Sequence, residues 1–163
     1  MDLSNFSLED LFLTAMKSEI ESKKLYLDMA KKTKNGLLQD KFQFLSGEEE
    51  KHRLYIEEIY LNHFPDKKIK LPDKTPVPLP EVEYDEETPM SVLLTQAMNA
   101  ELAANKFYHS FSGLFEAGSR NHNTLLYFAD MEMGHYKILE MEKESMERFE
   151  DADVYWPMVH AGP

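Results

Sequence analysis

Residues 127–139 read YFADMEMGHYKIL and place two polar side chains where a helix normally turns toward its core. Counted from Leu125, just before this stretch, steps of three and four residues reach Phe128, Glu132, His135 and Leu139 in order. Residues at this spacing share one helix face, and a face that begins and ends with apolar residues packs inward. The stretch therefore predicts a helix with a buried Glu and a buried His, and both side chains need compensating partners.

Both halves of the chain carry the same four polar residues in the same order: a Glu, a Tyr seven residues later, and then a Glu-x-x-His pair. These residues are Glu19, Tyr26, Glu49 and His52 in the N-terminal half, and Glu101, Tyr108, Glu132 and His135 in the C-terminal half. The first and second Glu are 30 residues apart in one half and 31 in the other. This spacing indicates a repeated pair of helices.

Capping and turn residues divide the chain into four predicted helices. The S-L-E-D sequence that starts at Ser7 offers an N-cap with an acidic residue three positions later. Thr88-Pro89 is a second favourable start, with Thr as the N-cap and Pro at the first helical position. The predicted helices run from Ser7 to Thr33, from Leu37 to Asn62, from Thr88 to a break at Gly118, and from Arg120 to Phe149.

The connection between the second and third helices is long and rich in proline. Residues 63–89 contain six prolines, too many for a helix and unsuitable for a central strand. A long crossover in this position is typical of an antiparallel four-helix bundle in which the third helix returns beside the first. The sequence therefore predicts an all-α fold, with residues 1–163 as a single domain. Residues 150–163 form a predicted C-terminal tail, whose Tyr155, Trp156 and Met158 are expected to pack, with a neighbouring subunit as one candidate surface.

Charge and composition exclude several kinds of function. A formal net charge of -12 disfavours nucleic acids and anionic membranes as partners, because both would repel the protein. The absence of Cys excludes disulfides, Cys-ligated metals and a thiol nucleophile. Neither a basic start followed by an apolar run nor an apolar stretch of about 18 residues is present. We therefore expect a soluble cytoplasmic protein.

The repeated residues would place four carboxylates and two imidazoles at similar depth in the core. Unpaired buried charges are very costly, and two divalent cations would balance four carboxylates. Glu and His at positions i and i+3 lie on one helix face, where the carboxylate can bridge two metals while the imidazole binds one. Oxygen and nitrogen donors without sulfur suit iron or manganese, with zinc and cobalt as further occupants.

Four motifs carry a resemblance to a known family: AMKSEIESKKLY (15–26), EEEKH (48–52), AMNAELAANKFY (97–108) and MEMGH (131–135). With them the chain resembles the ferritin-like di-iron carboxylate proteins, and within these the rubrerythrin and bacterioferritin branch. The resemblance covers residues 7–149. It implies a ferritin-like four-helix bundle and, commonly, a homodimer.

The resemblance also implies a role for each repeated residue. Glu19 and His52 would bind one metal, Glu101 and His135 the other, and Glu49 and Glu132 would bridge them. Tyr26 and Tyr108 would each hydrogen-bond a ligand carboxylate from the opposite half. One position departs from the family pattern, because Ala104 stands where rubrerythrins commonly carry a further Glu.

The function that the resemblance implies is reduction of hydrogen peroxide, or less readily dioxygen, at two iron ions. Many rubrerythrins carry a Cys-ligated iron domain as electron donor, and this sequence has no Cys. Electrons would then come from an external donor such as a rubredoxin-like protein. Two alternatives stay open at this point: a ferroxidase or iron-handling protein, and a non-enzymatic bundle that uses metal for stability and acts through partners.

Overall fold

Four helices make up most of the fold. The structure is a computed structural model that describes the backbone of residues 1–155 and the side chains of residues 1–148. The helices are α1 (Leu8–Lys32), α2 (Gly36–His63), α3 (Met90–Ser112) and α4 (Arg120–Tyr155). Residues 1–155 contain no strand. The predicted all-α fold of four helices is confirmed.

Side-chain caps fix the starts of the first two helices. The Ser7 side chain accepts a hydrogen bond from the backbone N–H of Asp10, whose carboxylate accepts one from the N–H of Ser7. Asn35 caps α2 by accepting from the N–H groups of Leu37 and Leu38. Two backbone donors that lack a partner within each helix are thereby satisfied.

Helix α3 is shorter than the sequence indicated. The hydroxyl of Thr88 bonds the carboxylate of Asp85 at 2.8 Å, so Thr88 closes a turn within the crossover and does not cap α3. The residue that precedes α3 is Pro89, and the helix ends at Ser112 rather than near Gly118. Helix α4 differs in the other direction, because it continues to Tyr155, beyond the predicted end at Phe149. The expected packing of Trp156 and Met158 lies outside the described residues.

The helices pack as two close pairs. Helix α1 lies along α2 and α3 lies along α4, and the pairs face each other through α1–α3 and α2–α4. Tyr26 late in α1 bonds Glu101 at the middle of α3, while Tyr108 late in α3 bonds Glu19 near the middle of α1. This exchange of partners shows that α1 and α3 run antiparallel. The third helix therefore returns beside the first, as predicted.

The crossover follows α1 from one end to the other. Lys67 pairs with Glu9 near the start of α1, and the N–H of Val77 donates to the hydroxyl of Thr14 at 3.2 Å. Farther along, the Tyr84 hydroxyl donates to Asp28 near the end of α1 at 2.8 Å. The segment thus connects α2 to the opposite end of the bundle and covers one side of α1.

Two apolar clusters lie at the two ends of the bundle. One is rich in aromatic rings, including Phe12, Tyr60 and Phe111. The other is built mainly from aliphatic side chains such as Met29, Leu94 and Leu139. The repeated Glu and His residues belong to neither cluster, although they are buried. Within residues 1–155, no helix is long and apolar enough to cross a bilayer.

Candidate metal centre

All four helices contribute polar side chains to one buried layer. Helices α1 and α3 each supply one Glu, whereas α2 and α4 each supply a Glu-x-x-His pair. Their relative exposures are at most 3%: Glu19, Glu49, His52, Glu101, Glu132 and His135. The six residues that the sequence singled out for metal binding therefore converge in the interior.

The six side chains form two overlapping groups of four. In each group one potential ligand atom from every residue lies within 4.8 Å of the others. The first group is Glu19, Glu49, His52 and Glu132, and the second is Glu49, Glu101, Glu132 and His135. Because Glu49 and Glu132 belong to both groups, they occupy the place of ligands that two neighbouring ions could share.

Each imidazole directs Nδ1 toward the carboxylates. Nδ1 of His52 is 3.1 Å from Oε1 of Glu132, and 3.6 Å from one oxygen each of Glu19 and Glu49. Nδ1 of His135 is 3.1 Å from Oε1 of Glu49 and 3.1 Å from Oε2 of Glu132. The two rings are nearly parallel, with centroids 5.9 Å apart. The repeat in the sequence thus becomes a near-symmetric arrangement in space.

The two buried tyrosines join the halves of the bundle. The Tyr26 hydroxyl donates a hydrogen bond to Glu101, and the Tyr108 hydroxyl donates one to Glu19. Each Tyr therefore holds the outer carboxyl group of the opposite half, which is the partner that the resemblance implied. These bonds leave the second oxygen of each carboxyl group free to face the layer.

Comparison with known proteins agrees with this arrangement. The sequence model of the rubrerythrin family matches residues 10–91. A solved structure of a hypothetical protein from Pyrococcus furiosus is similar, with a TM-score of 0.77 and 31% sequence identity. The aligned region covers 91% of this chain and 95% of the Pyrococcus furiosus chain. The chain belongs to the rubrerythrin family. Its fold is therefore the predicted ferritin-like bundle. No curated protein matches the chain significantly.

The outer carboxyl groups of this rubrerythrin-family site favour the protonated form in the absence of metal. Burial raises the pKa of Glu19 well above its usual value, and the charges of Glu49 and Glu132 raise it further. Burial raises the pKa of Glu101 in the same way, again with contributions from Glu132 and Glu49. A buried carboxyl group that faces other carboxylates keeps its proton because two like charges at short range repel.

The inner carboxylates and the imidazoles stabilise each other as ions. Burial opposes the charged form of Glu132, but contacts with His135 and His52 outweigh it and lower the pKa. The pKa of Glu49 is also lowered by the two imidazoles, against burial and the charge of Glu132. Burial likewise opposes the charged form of His52, yet its carboxylate contacts raise its pKa to about 12. Contacts with carboxylates raise the pKa of His135 despite burial.

Several polar atoms of the site remain without a hydrogen bond, which tests whether a metal fits. Oε1 of Glu49, Oε1 of Glu132 and Nδ1 of His52 are buried and lie close to opposite charges, but none of them is aligned for a hydrogen bond. A buried polar atom without a partner costs about 1–3 kcal/mol, so natural proteins seldom keep several together. Carboxylate oxygens and imidazole nitrogens are good ligands for iron and manganese, and four carboxylates balance two divalent ions. The residues fit a pair of metal ions.

Sequence reasoning did not identify the aromatic wall of the site. The ring of Phe128 lies 4.3 Å from that of His52, measured between centroids, and also contacts the Tyr108 ring at 5.7 Å. Its place on the same stripe as Glu132 and His135 was the available signal. Ala104, by contrast, is half-buried one turn after Glu101 and brings no seventh polar group to the layer.

Proposed function

We propose that the protein is a rubrerythrin-like oxidoreductase that binds two iron ions and reduces hydrogen peroxide, or less readily dioxygen. The observation that supports this proposal is the near-symmetric buried set of four Glu and two His. One outer Glu and one His would hold each ion, and the inner Glu residues would be shared by both: Glu19 with His52, Glu101 with His135, and Glu49 with Glu132. Manganese and zinc are alternative occupants.

The protein's own part in this chemistry is to orient ligands and exclude water. A bound pair of iron ions supplies two electrons at one place, the number needed to reduce hydrogen peroxide to water. Tyr26 and Tyr108 hold the outer carboxyl groups in one orientation. Burial, followed by the charge of Glu101, raises the pKa of the Tyr26 phenol well above its usual value. Burial and the charge of Glu19 do the same for the pKa of Tyr108. Both hydroxyls therefore remain protonated donors at neutral pH.

Electrons must reach the site from elsewhere. The sequence contains no Cys, so no Cys-ligated iron within these residues can act as donor. We expect a separate donor such as a rubredoxin-like protein. The proposal also includes a cytoplasmic homodimer, and sedimentation should then give twice the 19.1 kDa mass of one chain.

The experiment that tests the function compares two oxidants under anaerobic mixing. Metal-free protein is loaded with two equivalents of ferrous iron and mixed with hydrogen peroxide or with dioxygen, while near-ultraviolet absorbance follows oxidation of the iron. Oxidation much faster with peroxide, followed by retention of the iron, supports the peroxide reductase. Faster oxidation by dioxygen with release of the iron would favour the ferroxidase. Bound iron that stays inert to both oxidants would leave a metal-stabilised bundle.

Two neighbouring residues supply a matched pair of variants for the same experiment. Glu49→Gln removes the charge of an inner ligand without changing its size, and we expect it to abolish rapid oxidation. Glu50 lies beside it on α2 but pairs with Arg53 at 2.9 Å and with Lys23 at 3.1 Å, outside the layer. Glu50→Gln should therefore oxidise iron at the rate of the unmodified protein. Equal rates in both variants would contradict the assigned site.

A further inference from the structure

A cavity of about 310 Å³ separates the crossover from α1. Ser18 and Ser22 of α1 contribute to its floor together with Ala100 of α3, while Thr75 and Leu79 of the crossover form part of its wall. The crossover therefore spans the seam between α1 and α3 without filling the space beneath it.

The floor of this cavity adjoins the outer carboxyl groups. Ser18 immediately precedes Glu19, and Ser22 follows it by one helical turn on the same face. Ala100 immediately precedes Glu101. The lining residues that neighbour Glu19 and Glu101 in this way therefore have small side chains.

The opposite face of the bundle is lined by larger side chains. A groove between α2 and α4 is bordered by the apolar side chains of Phe44, Ile138 and Met141, and also by Asp40 and the paired Lys41 and Glu142. On the same side, the ring of Phe128 covers that of His52 at 4.3 Å. A hydrated ion that approached from this face would have to displace bulky apolar groups, which costs more than passing Ser and Ala.

Charges around the cavity favour cations. Four acidic residues, Glu21, Asp73, Glu81 and Glu83, line it together with three lysines. Lys17 is paired with Glu21 at 2.8 Å and Lys74 with Glu81 at 3.8 Å, so these pairs cancel, and Asp73 and Glu83 against Lys24 leave one negative charge in excess. The protein as a whole carries a formal net charge of -12, which raises the local concentration of cations.

We propose that the cavity between α1, α3 and the crossover is the port through which divalent cations reach the buried site. A closed site needs such a route, because its ligands are inaccessible from bulk water. Ions pass between Ser22 and Ala100 to the outer carboxyl groups and from there to the inner ones. This inference rests on the proposed function, since it requires that the six residues bind metal.

The absence of native Cys allows a direct test. A single thiol is introduced by Thr75→Cys in the cavity wall and then labelled with a bulky maleimide. The control is Lys51→Cys, an exposed position directly before His52 that does not line the cavity. Metal-free samples, labelled and unlabelled, are mixed with Co²⁺, and visible absorbance measures the rate of uptake. Each labelled sample is compared with the same unlabelled variant, so an effect of the substitution itself cancels.

We expect the label on the Thr75→Cys variant to slow Co²⁺ uptake by about tenfold or more, which corresponds to about 1.4 kcal/mol in the barrier. The final stoichiometry should stay at two ions, and the label on the Lys51→Cys variant should leave the rate unchanged. Ser22→Leu, which fills the floor, should also slow uptake. Unchanged rates at Thr75 or equal slowing at both positions would overturn the port and leave the metal site intact. Failure of every unlabelled sample to bind Co²⁺ would overturn both proposals.

Discussion

The α1–α3 side and the α2–α4 side of the bundle supply the same acidic residue to the buried layer, but they hold it differently. On the α1–α3 side, Glu19 and Glu101 accept hydrogen bonds from neutral Tyr hydroxyls, and burial raises their pKa. On the α2–α4 side, Glu49 and Glu132 contact imidazoles, which lower their pKa despite burial. Partners, rather than residue type or depth alone, decide which carboxyl groups are charged before metal binds.

The largest expected difference between the two sides concerns metal stoichiometry. Glu132→Gln removes a ligand that both ions share, so we expect it to bind no metal tightly. Glu19→Gln removes a ligand of one ion, and we expect one ion per chain to remain. Elemental analysis after gel filtration gives the counts. Two ions retained by Glu132→Gln, or none by Glu19→Gln, would show that the inner and outer roles are assigned wrongly.

Metal removal should lower the thermal stability of the protein. Ligands that bind only the folded state add about 2.7 kcal/mol at a free concentration 100 times the Kd. For a chain of this size, each 1 kcal/mol corresponds to about 2–4 °C in Tm. We therefore expect a fall of about 5–10 °C when a chelator removes the metal, measured by thermal unfolding. The Glu132→Gln variant serves as control, because a chelator should leave its Tm unchanged; an equal fall there would point to another binding site.

Binding of two ions should release protons from both sides of the layer. In the metal-free protein, the raised pKa values of His52 and His135 keep both imidazoles protonated at neutral pH, and the raised pKa values of Glu19 and Glu101 favour their protonated forms. Metal ligands must lose these protons, so metal binding should release protons, including one from each imidazole. Because protons and metal compete, affinity should rise as pH rises. Titration in weakly buffered dye solution measures the release, and the absence of proton release would contradict the assigned charge states.

The smallest expected effect comes from the Tyr hydroxyls on the α1–α3 side. Tyr26→Phe removes one hydrogen bond to Glu101, and we expect a loss of about 1 kcal/mol in unfolding free energy. Metal affinity should fall by about 10–100-fold, because the carboxyl group loses its orientation. The control is Tyr60→Phe. The Tyr60 hydroxyl bonds Glu9 at 2.9 Å at the end of the bundle, away from the buried layer. Denaturation and metal competition should separate the two variants, and equal metal affinities would remove Tyr26 from the site.

The ligands and the helix repeat could be predicted because sequence spacing carries them directly. Glu132 and His135 share a helix face by their separation alone, and Glu49 and His52 repeat it. The protonation states could not be predicted in this way, because they depend on which side chain of another helix faces each carboxyl group. The resemblance implied that Tyr26 bonds a carboxyl group of the opposite half, as it does with Glu101, but the charges that surround each carboxyl group are shown only by the packed bundle.

Errors in the predicted helices came from contacts that local propensity does not register. Thr88 is a favourable N-cap, but its hydroxyl is already bonded to Asp85 within the crossover. The cavity was missed for a related reason. Ser22, Thr75 and Ala100 come from three separate segments, and none of them is unusual in its own segment.

The proposed site requires that two metal ions lie side by side and share Glu49 and Glu132. X-ray absorption at the iron edge, on protein loaded with two equivalents of ferrous iron, tests it most directly. We predict oxygen and nitrogen ligands and an iron–iron distance of about 3.5–4 Å, the separation typical of paired metal sites. Iron that shows no neighbouring iron at this distance would contradict a shared dinuclear centre.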